Sequence, residues 1–130
     1  MYDLRDFFAV LDGIAPIKYS YALIEKGDYD NSGIIVAQNS EIKRVLFSLD
    51  LSVGAVKRAK NSKCDTIVTH HPAIYHPLKT LDGENAALLS AVNGGLNVIS
   101  MHLNLDVAKG GVDESLAAGL GGANAEILDP

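Results

Sequence analysis

The chain has a single thiol, Cys64, so no internal disulfide can form and no CxxC pair is available to hold a metal. The plainest role for Cys64 is that of a small apolar residue ahead of a strand, in a reducing compartment. No block of lysines or arginines occurs. The 11 basic residues are outnumbered by 16 acidic ones, for a net charge of -5, and this balance argues against nonspecific nucleic-acid binding. No apolar run approaches the roughly 20 residues of a membrane span. The start, Met1-Tyr2-Asp3-Leu4-Arg5-Asp6, carries acids early and has no apolar core, so neither a signal peptide nor a transit peptide is expected and the expected compartment is the cytoplasm. A GxSxG elbow is missing, which disfavours a serine nucleophile. Neither GxGxxG nor GxxxxGK[ST] occurs, which leaves no dinucleotide or nucleoside-triphosphate loop. Internal repeats and low-complexity linkers are likewise missing.

What remains is the make-up of an ordinary globular domain. With 130 residues, 48% of them hydrophobic and 21% charged, the chain reads as one α/β domain over 1–130, long enough to bury a real core. Leu4, Phe7, Phe8 and Leu11 fall at helical spacing behind Asp3 as a cap, and Gly13 with Pro16 ends that helix. A polar, turn-rich loop over 27–33 leads into a strand at 34–36. Further strands are expected over 45–49, 66–69 and 97–101, with helices over 52–61, 83–93 and 112–118 and an edge strand over 125–128. Thr66-Ile67-Val68-Thr69 lacks strict alternation, as a parallel strand buried on both sides does. Strands alternating with helices predict a mostly parallel sheet with helices on both faces.

Chemistry concentrates where two of these strands end. Thr69-His70-His71-Pro72 closes one, and Met101-His102-Leu103-Asn104-Leu105-Asp106 follows the other. Open parallel sheets place their ligand crevices at such ends. Imidazole nitrogens with a carboxylate suit a divalent ion such as Zn, Fe, Mn, Co or Ni. His102 and Asp106, four residues apart, meet on one helical turn. Taken singly, a histidine pair at a strand end reads as one ring bonded to backbone and one in solvent. Taken with His102 and Asp106, His70 and His71 read as metal ligands, for one ion or for two. His76, in a proline-bounded loop, reads as a surface or packing residue. Asp50, just past the 45–49 strand, reads equally as a direct ligand, or as a helix cap or a partner that orients a histidine. Gly110-Gly111 ahead of Val112 is either a turn or a set of amides for a phosphate. The loop Asp30-Asn31-Ser32-Gly33 is either a turn or a substrate-facing edge.

With these residues in view, the sequence resembles the dinuclear-metal-centre hexameric proteins, also called GTP cyclohydrolase I type 2 homologues. The likeness rests on Tyr29-Asp30-Asn31-Ser32-Gly33, Leu49-Asp50-Leu51-Ser52, Thr69-His70-His71-Pro72-Ala73-Ile74-Tyr75 and His102-Leu103-Asn104-Leu105-Asp106 followed by Gly110-Gly111-Val112-Asp113. It implies that His70, His71 and Asp106 are metal ligands, with His102 a ligand or close neighbour. It also implies a centre of up to two ions, a homohexamer, and a second lobe supplying a further histidine and a bridging glutamate, so that this chain answers to the N-terminal lobe. The functional expectation is a divalent-metal-dependent hydrolase acting on a small molecule, a nucleotide among the candidates. In it a metal activates water for attack on a ring carbon or phosphoryl group, while His102 holds metal or shuttles a proton. The alternatives are a non-catalytic metal-binding module that assembles rings, and an interaction domain that uses its sheet face alone.

Overall fold

The computed structural model describes residues 2–126. In chain order its elements are β1 (Tyr2–Asp3), α1 (Leu4–Ile14), α2 (Lys18–Glu25), β2 (Gly33–Val36), β3 (Glu41–Ile42), β4 (Val45–Ser48), α3 (Val53–Asn61) and β5 (Thr66–Thr69). A 3-10 turn over Gly83–Asn85 then opens α4 (Ala86–Asn93), followed by β6 (Asn97–Ser100), α5 (Leu103–Asp106) and α6 (Val112–Gly119). Among the described residues no single helix is long and apolar enough to cross a membrane.

The sheet runs β2-β6-β5-β4. Strands β4, β5 and β6 are parallel, in the register Ser48↔Thr69↔Ser100. Every residue of β5 and β6 is buried, which is why their sequences do not alternate. Successive side chains still point to opposite faces. Ile67 and Val98 pack with Val56 and Ala59 of α3 and Ala91 of α4, whereas Val68 and Ile99 pack with Leu4 and Leu11 of α1. The α/β reading with helices on both faces therefore holds. Cys64 is buried in the α3/α4 layer as a small apolar residue.

Helix starts follow their caps. The Asp3 side chain accepts from the Arg5 amide, the Ser52 side chain from Ala55, and Asp82 closes a capping box with Asn85. Three features were not legible. Helix α2 has no side-chain cap at Ile17 and buries only Ser20, so no apolar stripe announces it. The ribbon β1/β3 pairs two residues with two, too few to show a period. Strand β2 runs antiparallel to β6, with Gly33 opposite Ser100. The chain leaving β2 is pinned by buried Asn97, whose Oδ1 accepts from the Gln38 and Asn39 amides at 2.8 and 2.9 Å. Of the edge strand expected over 125–128, Ala125 and Glu126 have no strand pairing and the rest lies outside the described residues.

Ile67 is fully buried between β4, β6 and the α3/α4 layer, so its truncation leaves a cavity that close-packed neighbours cannot fill. Ile67→Ala is expected to cost about 2–5 kcal/mol, read as a lower urea midpoint at unchanged slope. A cost below about 1 kcal/mol would mean that this layer is not the core.

Candidate metal centre

Parallel register brings the C-terminal ends of β4, β5 and β6 to one rim, and each is followed by a polar residue there: Asp50, His70 with His71, and His102. The turn after β5 is held by hydroxyls. Thr69 Oγ1 donates to the His71 carbonyl at 2.8 Å and lies 2.9 Å from Ser100 Oγ, which accepts from the Ala73 amide at 3.0 Å. That lock lets neighbouring histidines share the rim, their ring centroids 5.1 Å apart, where a continuing strand would send them to opposite faces. The His102 ring completes a triangle, 5.3 Å from His70 and 5.9 Å from His71.

Each of the three rings is fixed through its δ nitrogen. His70 Nδ1 lies 2.9 Å from the Met101 carbonyl, to which it can only donate. His71 Nδ1 lies 2.6 Å from Asp50 Oδ1, and His102 Nδ1 lies 2.8 Å from Asp30 Oδ1. Donation from Nδ1 leaves Nε2 as the free lone pair, the tautomer a metal ligand needs. Asp50 thus orients a histidine, and Ser52 is the residue that caps α3.

Asp106 ends the short helix α5, one turn beyond His102, and its Oδ1 lies 3.3 Å from His70 Nε2. Ligand atoms of His70, His102 and Asp106 all fall within 4.8 Å of one another, a spacing that suits a shared cation. Burial pushes the Asp106 carboxyl above its ordinary value; His70 and His102 pull it down, while Asp113 and Asp30 push it further up. A carboxylate that dislikes its own charge fits a site made for a cation. His71 lies outside this tight group and is more exposed, 48% against 18% for His70. It belongs to the same rim and offers its Nε2 from the open side.

Asp30 is the residue the sequence left undecided. Its side chain has no exposed surface; its Oδ2 accepts from Ser32 Oγ at 2.6 Å, and Ser32 Oγ in turn accepts from the His102 amide at 2.9 Å. Burial works to raise the Asp30 carboxyl, but hydrogen bonds from Ser20, Ser32, His102 and the Asn31 backbone outweigh it and hold the group below its ordinary value. Gly33, at φ 127°, turns this loop into β2, a conformation that favours glycine. The loop is stitched to the one after His71: Asn31 Nδ2 donates to the Ile74 carbonyl at 2.6 Å, and the Tyr75 hydroxyl to the Tyr29 carbonyl at 3.0 Å. His76 packs its ring against Tyr29 and Tyr75, the packing role expected of it. The amides before α6 make no phosphate cradle, because Glu114 already accepts from the Gly110 amide at 2.7 Å.

The family model Duf34/NIF3 (NGG1p interacting factor 3) matches residues 2–130. The chain belongs to the DUF34/NIF3 family. A Clostridium perfringens relative called GTP cyclohydrolase 1 type 2 homolog is 28% identical over 130 residues, spanning 97% of this chain and 47% of that protein. A relative of the same name from Halalkalibacterium halodurans is 32% identical over 105 residues, 78% of this chain and 28% of its own length. Among solved structures, a Bacillus cereus protein related to NIF3 superposes with a TM-score of 0.86 at 27% identity, covering 98% of this chain and 35% of that one. Reduced HcgD from Methanocaldococcus jannaschii gives 0.83 at 26% identity, covering 98% and 50%. The chain thus spans at most about half the length of the relatives cited here.

Two outcomes follow from the carboxylates. Asp30→Asn removes the charge and one of the two acceptor oxygens that serve His102 and Ser32, and metal affinity is expected to fall about 10–100-fold in calorimetric titrations with Mn²⁺. An acid held below its unfolded value stabilises the fold at pH above the ordinary 3.8 and loses that contribution as pH falls through its lower folded value. The Asn variant should therefore show a shallower acid destabilisation below about pH 4. Asp106 has the opposite sign: raised in the fold, it destabilises the metal-free protein once ionised. Asp106→Asn is expected to raise the melting temperature of chelator-treated protein at pH 8 while abolishing metal uptake. A lower melting temperature would show that Asp106 is structural.

Proposed function

We propose that this chain carries the histidine-bearing part of a divalent-metal-dependent hydrolase of the GTP cyclohydrolase 1 type 2 homologue kind, acting on a nucleotide or related small molecule as a cytoplasmic homohexamer. The observation that carries the reading is the common mode of restraint: three imidazoles tied by Nδ1, with Nε2 free, beside the half-buried carboxylate of Asp106. His70, His102 and Asp106 would hold one ion, and His71 would serve a second. A bound ion would supply Lewis acidity and bring the pKa of water toward neutrality. The protein's own residues do the rest. With His102 as proton shuttle in place of ligand, Asp30 stabilises the positive charge the ring gains at Nε2, and Ser32 keeps the His102 backbone in place for that transfer. Asp50 does the same for His71 from the solvent side.

A rival reading, a non-catalytic metal-binding module of a ring assembly, rests on the same tight group of His70, His102 and Asp106, which could hold an ion without turnover. Elemental analysis beside a turnover screen with GTP and p-nitrophenyl esters separates the two. With Mn²⁺ or Zn²⁺ supplied, turnover is expected to vanish on chelation and in His70→Ala, and to drop about 10²–10⁴-fold in His102→Ala. Bound metal without turnover supports the module. Full activity in His70→Ala defeats the hydrolase assignment.

A further inference from the structure

Behind His70, on the α1 face of the sheet, lies a cavity of about 260 Å³. Its floor is buried carbon from Leu11, Ala15, Val68 and Met101, while Ile14 and Phe47, 64% and 68% exposed, stand at its mouth. The polar groups that border it are engaged elsewhere. The Ser48 hydroxyl donates to the Asp50 carbonyl, Thr69 Oγ1 donates to the His71 carbonyl, the Ala15 carbonyl accepts from Asn104, and the Met101 carbonyl is tied to His70 Nδ1. Nothing there pairs with a donor or acceptor of a ligand. A purine edge placed in it would lose its hydrogen bonds to water without replacement, at a cost that disfavours entry. A hydrocarbon or simple aromatic group meets no such cost.

The size is informative. The cavity exceeds the roughly 150 Å³ of apolar cavities that take up benzene and falls short of the about 300–1,000 Å³ that enclose a whole drug-sized ligand. It fits one group of a substrate. One of its walls is His70, whose Nε2 lies 3.3 Å from Asp106 on the metal rim. His70 is thus shared between the cavity wall and the metal rim.

We infer that this cavity is a substrate subsite for a compact apolar or aromatic group, which points, within the proposed small-molecule class, to a substrate carrying such a group rather than to an unmodified nucleotide. The inference rests on the metal reading for what the rest of the substrate meets, and on the cavity alone for the group it admits.

The chain has two methionines, and one of them, Met101, lies in the cavity floor. In protein labelled with ¹³C-methyl methionine, toluene is expected to shift the Met101 signal saturably, while guanosine does not. Phe47→Lys, an exposed change at the mouth, should weaken toluene at least tenfold without lowering the melting temperature. In protein shown by calorimetry to hold Mn²⁺, the ion should broaden the lines of bound toluene. A Met101 signal unmoved to the solubility limit of toluene overturns the subsite, as does an equal response to guanosine. A shift without broadening in Mn²⁺-loaded protein overturns its placement beside the metal. If calorimetry finds no Mn²⁺ uptake, the metal reading fails, and the Met101 titration still decides the subsite.

Discussion

An imidazole is useful at a reactive site only if something behind it fixes the ring and chooses the tautomer, and that restraint on three rings at once is what the rest of this structure serves. The three anchors are of different kinds: the Met101 carbonyl for His70, Asp50 for His71 and Asp30 for His102. They arrive from separate strand ends. No local segment of chain could supply them together, because the anchors sit 31, 21 and 72 residues from the rings they hold. The sheet is the device that makes such long separations short.

The arrangement is costly in isolation. Asp30 has its side chain wholly removed from solvent, which opposes its charge, and it is kept ionised by hydrogen bonds from several donors. At Asp106 the pull of His70 and His102 does not outweigh burial, and the carboxyl stays above its ordinary value. One carboxylate is therefore satisfied by hydrogen bonds and the other is the one available to a cation: Asp30 orients His102, and Asp106 lies in the group that could hold an ion. A second sharp fit appears at Gly111, where an added Cβ would meet the Leu105 carbonyl at 2.1 Å, so the chain after α5 can fold back closely only without a side chain there.

How much of this was legible depends on range. Strands β5 and β6, and the histidines that follow them, were read from short apolar runs ending in polar residues. The pairing of His102 with Asp106 came from a four-residue spacing that the structure realises as the helix α5. The loop 30–33 was ambiguous for one reason. The alternation of strands and helices suggests that each new strand runs parallel, and a parallel β2 would place the residues before it at the far end of the sheet from the histidines. The antiparallel pairing of Gly33 with Ser100 carries Asp30 and Ser32 to the rim instead. Strand direction at a sheet edge is decided by tertiary packing and leaves no mark in a four-residue run, so the carboxylate behind His102 was visible as a residue and not as a partner.

The three histidines are also unequal, and their inequality gives the site a direction. His70 and His102 keep 18% and 19% of their side-chain surface, while His71 keeps 48% and its anchor Asp50 60%. His102 is held against Asp30 and Ser32 of the loop before β2, and His70 lies beside Asp106 of α5; the third ring faces out. An ion held by His70, His102 and Asp106 would have His71 beside it on the solvent side. The exposed ring is thus the one whose surroundings the described residues leave most open, and its Asp50 anchor is itself exposed where Asp30 is wholly covered.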